Sequence, residues 1–135
     1  MKQLEKREID MPDLLALMKR FRKAYARGDK EELLASTSDD FEWHQHAGSS
    51  SDLPSGRVLR GIDALLNEIA WRKEHWSEVT YSDLEERLAG DDLLVQTFTI
   101  SGLEDGVAFS ADAVDLYPVR DGLITRKDTY WKYIK

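Results

Sequence analysis

The spacing of apolar residues divides this chain into a helical first half and a β-rich second half. Leu14, Leu17, Met18, Phe21 and Tyr25 recur at helical intervals after Pro12, which suits a first turn, and they predict a helix that stops at Gly28. Asp29 followed by Glu32 reads as a capping box. It opens a second, short helix that turns Leu33 and Leu34 toward the core before Asp39 and Asp40 end it. Phe41 to His46 then alternates as a strand does. Ala47 to Arg60 is rich in serine and holds Gly48, Pro54 and Gly56, too long and too polar for a tight turn, and predicts a mobile flap. From Gly61 a third helix carries Ile62, Leu65, Leu66, Ile69 and Trp76 on one stripe and ends near His75 and Trp76.

Three turn signals, Gly90-Asp91-Asp92, Glu104-Asp105-Gly106 and Arg120-Asp121-Gly122, divide the remainder into strands near Glu78 to Leu88, Leu93 to Ser101, Val107 to Val119 and Leu123 to Ile134. Connections this short force antiparallel neighbours. Helices first and a strand meander afterward imply an α+β domain, with the helices on one face of a curved sheet. No internal repeat, G-x-G-x-x-G or Walker sequence suggests a nucleotide site.

Composition narrows the classes of function. A chain of 135 residues, 41% hydrophobic and 33% charged, suits one domain, here 12–135 after a charged N-terminal tail of 1–11. No apolar run approaches the roughly 20 residues of a membrane helix, and the first ten residues lack the apolar stretch of a secretory signal, so the expected location is cytoplasmic. The absence of cysteine excludes disulfides, thiolate catalysis and cysteine-ligated metal. A net charge of −7, with basic residues scattered, argues against nucleic acid as a partner.

Two of the chain's 3 histidines lie in the first strand, where alternation puts His44 and His46 with Glu42 on one face and Phe41, Trp43 and Gln45 on the other. Three readings stay open. The histidines line a pocket as an acid/base or hydrogen-bonding pair, since imidazole titrates near neutrality. Alternatively, Trp43 and Gln45 face inward and the histidines lie on the outer sheet face or at a subunit contact. Thirdly, His44 and His46 hold iron or zinc with Glu42 or an aspartate from a neighbouring strand, although H-x-H spacing is common and a third ligand is not fixed.

Several segments, in this order, resemble the nuclear-transport-factor-2-like superfamily and its SnoaL-like proteins. They are Tyr25-Ala26-Arg27-Gly28-Asp29, Asp39-Asp40-Phe41-Glu42-Trp43, Arg60-Gly61-Ile62-Asp63-Ala64-Leu65, Val119-Arg120-Asp121-Gly122-Leu123-Ile124 and Asp128-Thr129-Tyr130-Trp131. The likeness covers roughly residues 12 to 134. It implies a cystatin-like roll, a cone-shaped curved antiparallel sheet with three helices packed on its concave face, and a homodimer through the convex face. Such a fold hosts cyclases, isomerases, dehydratases, epoxide hydrolases and plain binding proteins.

A cone of this kind leaves an apolar pocket, and Asp115 is the strongest candidate for chemistry inside it. On Phe109 to Tyr117, alternation groups Asp115 with Phe109, Ala111, Ala113 and Tyr117, where a carboxylate loses solvation and suits proton transfer. Counted back from the Arg120-Asp121-Gly122 turn, Asp115 also falls where related ketosteroid isomerases and SnoaL-like cyclases keep a functional aspartate. Asp112, three residues away, lies on the opposite face and is the alternate. Lys127 shares a face with Thr129 and Trp131 and meets Asp115 if both point inward, a pairing that would weaken Asp115 as a general acid. Arg126, Asp128 and Tyr130 share the other face, for association. By the same resemblance, the isomerases' general base falls near Gln45 and their tyrosine donor near Phe21. Neither residue can play that part, so a copy of the isomerase mechanism is not expected. Trp71, Trp76, Trp131, Tyr130 and Tyr133 read as core, pocket wall or dimer surface. The serines at 49 to 51 show no nucleophile elbow and fit a flap.

The expectation is a cofactor-independent acid/base enzyme of cyclase, isomerase, dehydratase or epoxide hydrolase type, acting on a small hydrophobic or aromatic substrate. Asp115 would carry the proton with His44 or His46 as counterpart, and Trp43, Gln45, Tyr117, Phe21, Trp131 and Lys127 would bind substrate. Neither metal nor cofactor is expected, and the alternative is a non-catalytic ligand-binding or accessory protein with the same pocket.

Overall fold

A computed structural model describes residues 2–47 and 56–134, with side chains for 14–46 and 56–134. The order is α1 (Lys2–Arg27), α2 (Lys30–Ser36), β1 (Thr37–Ala47), β2 (Arg57–Arg60), α3 (Gly61–His75), β3 (Trp76–Leu88), β4 (Leu93–Glu104), β5 (Val107–Arg120) and β6 (Leu123–Tyr133). α1 begins well before Pro12, so the backbone of the charged segment continues the helix. It ends at Gly28, whose φ of 63° is a left-handed conformation that glycine adopts without steric cost. The Asp29 side chain accepts a hydrogen bond from Glu32 N at 3.2 Å, the N-cap that starts α2. α2 is shorter than expected. The hydroxyls of Ser36 and Thr37 bond back to the Leu33 carbonyl at 3.2 and 2.7 Å, closing the last turn, and Thr37 already pairs with Ile124 in the sheet.

Six strands form one curved, unclosed sheet in the order β2-β1-β6-β5-β4-β3. β3 to β6 are an antiparallel meander, as the short turns require. β1 lies parallel to β6, so the sheet is mixed rather than antiparallel. This pairing joins segments far apart in sequence, and no local signal fixes its direction. The expected flap is corrected in the same region: Arg57–Arg60 is the edge strand β2, antiparallel to β1, and 48–55 lie outside the described residues. Trp76 begins β3 instead of completing the α3 stripe, and Leu66 is only half-buried. No helix of the described residues is long and apolar enough to cross a membrane.

The helices cover one face of the sheet. Met18, Phe21 and Ala24 of α1, Leu33 of α2 and Ile62, Leu65 and Ile69 of α3 pack with Phe41, Trp43, Leu94, Tyr117 and Ile124 from the strands. Leu65 is fully buried, and its replacement by alanine would cost about 2–5 kcal/mol in lost contacts and cavity. Edge strand β3 is mostly exposed and has register shifts after Ser77 and Ser82, beside residues of positive φ at Glu78 and Asp83. Such bulges bend an edge and spoil it as a template for a foreign strand. Here they curl β3 so that Val79, Tyr81 and Leu84 border a cavity between α1 and the sheet.

Candidate active site

Strand register assembles the cavity floor. Gln96 of β4 stands opposite Asp115 of β5, Asp115 opposite Thr129 of β6, and Thr129 opposite Gln45 of β1, giving a row of polar side chains across the helix-covered face. Trp43 stands opposite Lys127 in the neighbouring row. Strict alternation along β5 holds as the sequence predicts: Ala111, Ala113, Asp115 and Tyr117 are buried, while Asp112 is exposed on the other face and accepts from the Thr99 hydroxyl at 3.0 Å. The alternate candidate is thereby placed outside the cavity.

At the floor, Lys127 Nζ donates to Asp115 Oδ2 and to the Tyr117 hydroxyl, each at 2.8 Å. The Tyr117 hydroxyl lies 3.3 Å from both Asp115 Oδ2 and Gln96 Oε1, and its single proton serves one of them. Gln96 in turn donates to Glu86 at 2.8 Å, and Glu86 pairs with Arg22 of α1, so the cluster is tied to the helix layer. Asp115 is fully buried, and its Oδ1 has no hydrogen-bond partner among the described residues. Leaving such an oxygen unsatisfied costs about 1–3 kcal/mol, so Oδ1 favours a hydrogen-bonding group at the cavity floor. Burial pushes the Lys127 ammonium below its ordinary pKa, with Asp115 offsetting this only in part. Burial likewise pushes the Tyr117 phenol well above its usual value, so this hydroxyl keeps its proton.

The cavity above this floor measures about 590 Å³ and is lined chiefly by apolar and aromatic side chains, Phe21, Tyr25, Trp43, Trp76 and Trp131 among them. Trp43 is buried and donates its indole N–H to the Thr129 hydroxyl at 2.9 Å. Arg72 of α3 forms a partition. Its guanidinium lies 4.8 Å from the Trp43 ring, 4.4 Å from Trp76 and 5.5 Å from Trp131, and it donates to Glu68 and to the Tyr25 hydroxyl at 3.1 Å each. Beyond it lies a second, more polar cavity of about 570 Å³. Burial alone would raise the Glu68 carboxyl, but Arg72 and Arg57 outweigh it and hold its pKa below the ordinary value.

These positions sort the expected residues. Asp115, Tyr117, Lys127, Trp43, Phe21 and Trp131 all line the main cavity. Gln45 lines the second one instead, accepting from Arg57 at 2.6 and 2.9 Å and donating to Glu68 at 3.3 Å. His44 and His46 are not beside Asp115. With Phe41 and Trp43 buried inward, alternation sends both histidines to the outer face, where His44 Nε2 lies 3.0 Å from Glu42 and His46 stacks on Tyr130. His46 borders only the second cavity. Sequence reasoning missed Arg72, Tyr25 and Gln96 as site residues. Each had a signal: Arg72 continues the Leu65, Ile69 stripe at helical spacing, Tyr25 stands one turn beyond Phe21, and Gln96 interrupts the inward series Leu94, Phe98, Ile100.

The model of the SnoaL-like domain family matches residues 18–127. No curated protein matches the chain. Among solved structures, an NTF2-like protein from Burkholderia xenovorans superimposes with a TM-score of 0.75 at 25% identity, covering 90% of each chain. A protein from Xanthomonas campestris, provisionally described as a polyketide cyclase, gives 0.69 at 16% identity, over 91% of this chain and 93% of its own. A Catenulispora acidiphila protein with a ketosteroid isomerase-like fold, in complex with trimethylamine, gives 0.65 at 17% identity, over 86% of this chain and 85% of its own. The curved sheet, the three helices over it and the family match agree, and the chain belongs to the SnoaL-like family of the NTF2-like superfamily.

Proposed function

We propose that this protein binds a small hydrophobic or aromatic molecule in the main cavity and performs general acid/base chemistry on it, of the cyclase, isomerase or dehydratase kind. One observation carries the reading. Asp115 is a fully buried carboxylate at the floor of an aromatic cavity, with one oxygen held by Lys127 and the other without a partner among the described residues. The free Oδ1 is the atom that takes a proton from the substrate and later returns it at another position, so the net reaction consumes nothing. Lys127 and Tyr117 fix the carboxylate in place and supply protons that stabilise negative charge developing beside it. The aromatic walls orient a flat substrate and exclude water, which strengthens these electrostatic effects.

The alternative class is a ligand carrier that uses the same cavity without reaction. The tight Asp115–Lys127 pair suits it, because a carboxylate held by an ammonium can anchor a polar group of a ligand without any proton transfer. Asp115→Asn separates the two. Ligand binding is read from quenching of the tryptophan fluorescence of Trp43, Trp76 and Trp131, and turnover from proton–deuterium exchange into a bound aromatic ketone by NMR. An enzyme loses exchange by at least about 100-fold in this variant while still binding, in line with removal of a general base. A carrier shows binding and no exchange even in the wild type.

A further inference from the structure

The outer face of the sheet carries a second set of ligand-bearing side chains. β1 and β6 run parallel with His44 opposite Asp128 and His46 opposite Tyr130, so His44, His46 and Asp128 project together, away from Trp43, Lys127 and Thr129. One donor atom from each lies within 4.8 Å of the other two. His46 Nε2 is 3.3 Å from Asp128 Oδ1, yet that oxygen is inaccessible and has no hydrogen-bond partner among the described residues. Nitrogen and oxygen are near each other without being aimed at each other. Two lone pairs held in this way fit a shared third atom better than a direct bond.

The remaining polar atoms of the cluster are occupied in a manner that fixes its orientation. His44 Nε2 meets Glu42 Oε1 at 3.0 Å, which leaves the second ring nitrogen to bind. The Tyr130 hydroxyl donates to Asp128 Oδ2 at 3.2 Å, leaving Oδ1. The same tyrosine stacks on His46 with centroids 4.5 Å apart and an interplanar angle of 9°. Carboxylates and hydroxyls that hold metal ligands from behind are a regular part of protein metal sites. Glu42 also meets Arg60 at 3.1 Å, and Arg126 stands opposite Glu42, so the surrounding charge is balanced.

We propose that His44, His46 and Asp128 bind a divalent first-row transition metal, of the zinc or iron(II) class, on the outer face between β1 and β6. Two imidazoles and one carboxylate are a donor set for such ions, whereas calcium and magnesium prefer oxygen alone. Bonds of about 2.0–2.2 Å place donor atoms roughly 3.0–3.5 Å apart. The His46–Asp128 separation of 3.3 Å is already in that range, and His44 offers a donor atom within 4.8 Å of both. The side chains are 25%, 39% and 12% exposed, so the ion keeps open positions for water or a small anion. The sheet separates this site from Asp115, and the proposal is independent of the acid/base reading.

The test is titration of chelator-stripped protein with Co²⁺, read by visible absorption and calorimetry, with Zn²⁺ in competition. One Co²⁺ per chain is expected. His44→Gln, His46→Gln and Asp128→Asn should each weaken binding by about 100-fold or more, and Glu42→Gln by roughly 10-fold as an outer partner. His75→Gln, whose ring lies 2.8 Å from Asp105 on another part of the molecule, should leave affinity unchanged. In the wild type, Zn²⁺ should shift the imidazole NMR signals of His44 and His46 but not of His75, a readout that needs no variant to fold. Absence of stoichiometric binding, or triad variants that bind as the wild type does, would overturn the proposal.

Discussion

The two faces of β6 and its neighbours β1 and β5 carry polar clusters that meet at adjacent residues, Lys127 and Asp128, and differ in composition and in exposure. Inward, Lys127 and Asp115 have side chains 8% and 1% exposed, under three tryptophans and two helices. Outward, His46 and His44 are 39% and 25% exposed, with Asp128 beside them. In the low dielectric of the inner face each charge depends on its partner, and removing one leaves the other stranded. On the outer face water reaches both imidazoles and screens them, so their pairing contributes little to folding, and Asp128 alone of the three is buried. Alternation of side chains thus lets β6 contribute to a buried site with β5 on one face and to a more exposed cluster with β1 on the other.

The largest contrast is in stability. Lys127→Met strands the Asp115 carboxylate and should destabilise the protein by about 3–5 kcal/mol in urea unfolding, whereas His46→Gln on the more exposed outer face should cost within about 1 kcal/mol. Equal costs would mean that the two faces do not differ as described. A smaller effect is expected when both inner charges go together. The double variant Asp115→Asn with Lys127→Met should recover most of the loss of Lys127→Met alone, because no unpaired charge remains. Simple additivity would show that the pair is not coupled.

The smallest effect concerns pH. Glu68 has its folded pKa depressed below 4.5 by Arg72 and Arg57 against the opposing effect of burial. A depressed carboxyl stabilises above its unfolded pKa, and the contribution is lost as pH falls through the folded value. Wild-type stability should therefore drop below pH 4.5 more steeply than that of Glu68→Gln, and this difference should persist in 0.5 M salt. Glu42, depressed by its hydrogen bond to His44 and by Arg60 at the more exposed outer face, should show a difference that salt reduces. Urea midpoints across this pH range check both.

Much of this arrangement was legible in the chain because it is local. Asp115 stands out since the other alternate residues from Phe109 to Tyr117 are apolar or aromatic, and the structure buries that series from Ala111 onward. The meeting of Asp115 with Lys127 followed from two alternations and a short turn. What was illegible depends on pairing between distant segments. β1 presents two aromatics and an amide on one face and two histidines with Glu42 on the other, so its own pattern does not decide which side is inside; its parallel docking on β6 and the cover of α3 decide it. β2 is four residues long, too short for a period to emerge. Arg72 was hidden for another reason. An arginine reads as an exposed position even where it continues an apolar stripe, and its burial rests on three tryptophan rings together with Glu68 and Tyr25.

The central claim is that chemistry belongs to the inner face and to Asp115. Deuterium exchange into a bound aromatic ketone, compared by NMR between Asp115→Asn and the double variant His44→Gln with His46→Gln, tests it most directly. The account predicts that exchange disappears in the first and continues at the wild-type rate in the second. Exchange that survives without Asp115, or vanishes without the histidines, would contradict it.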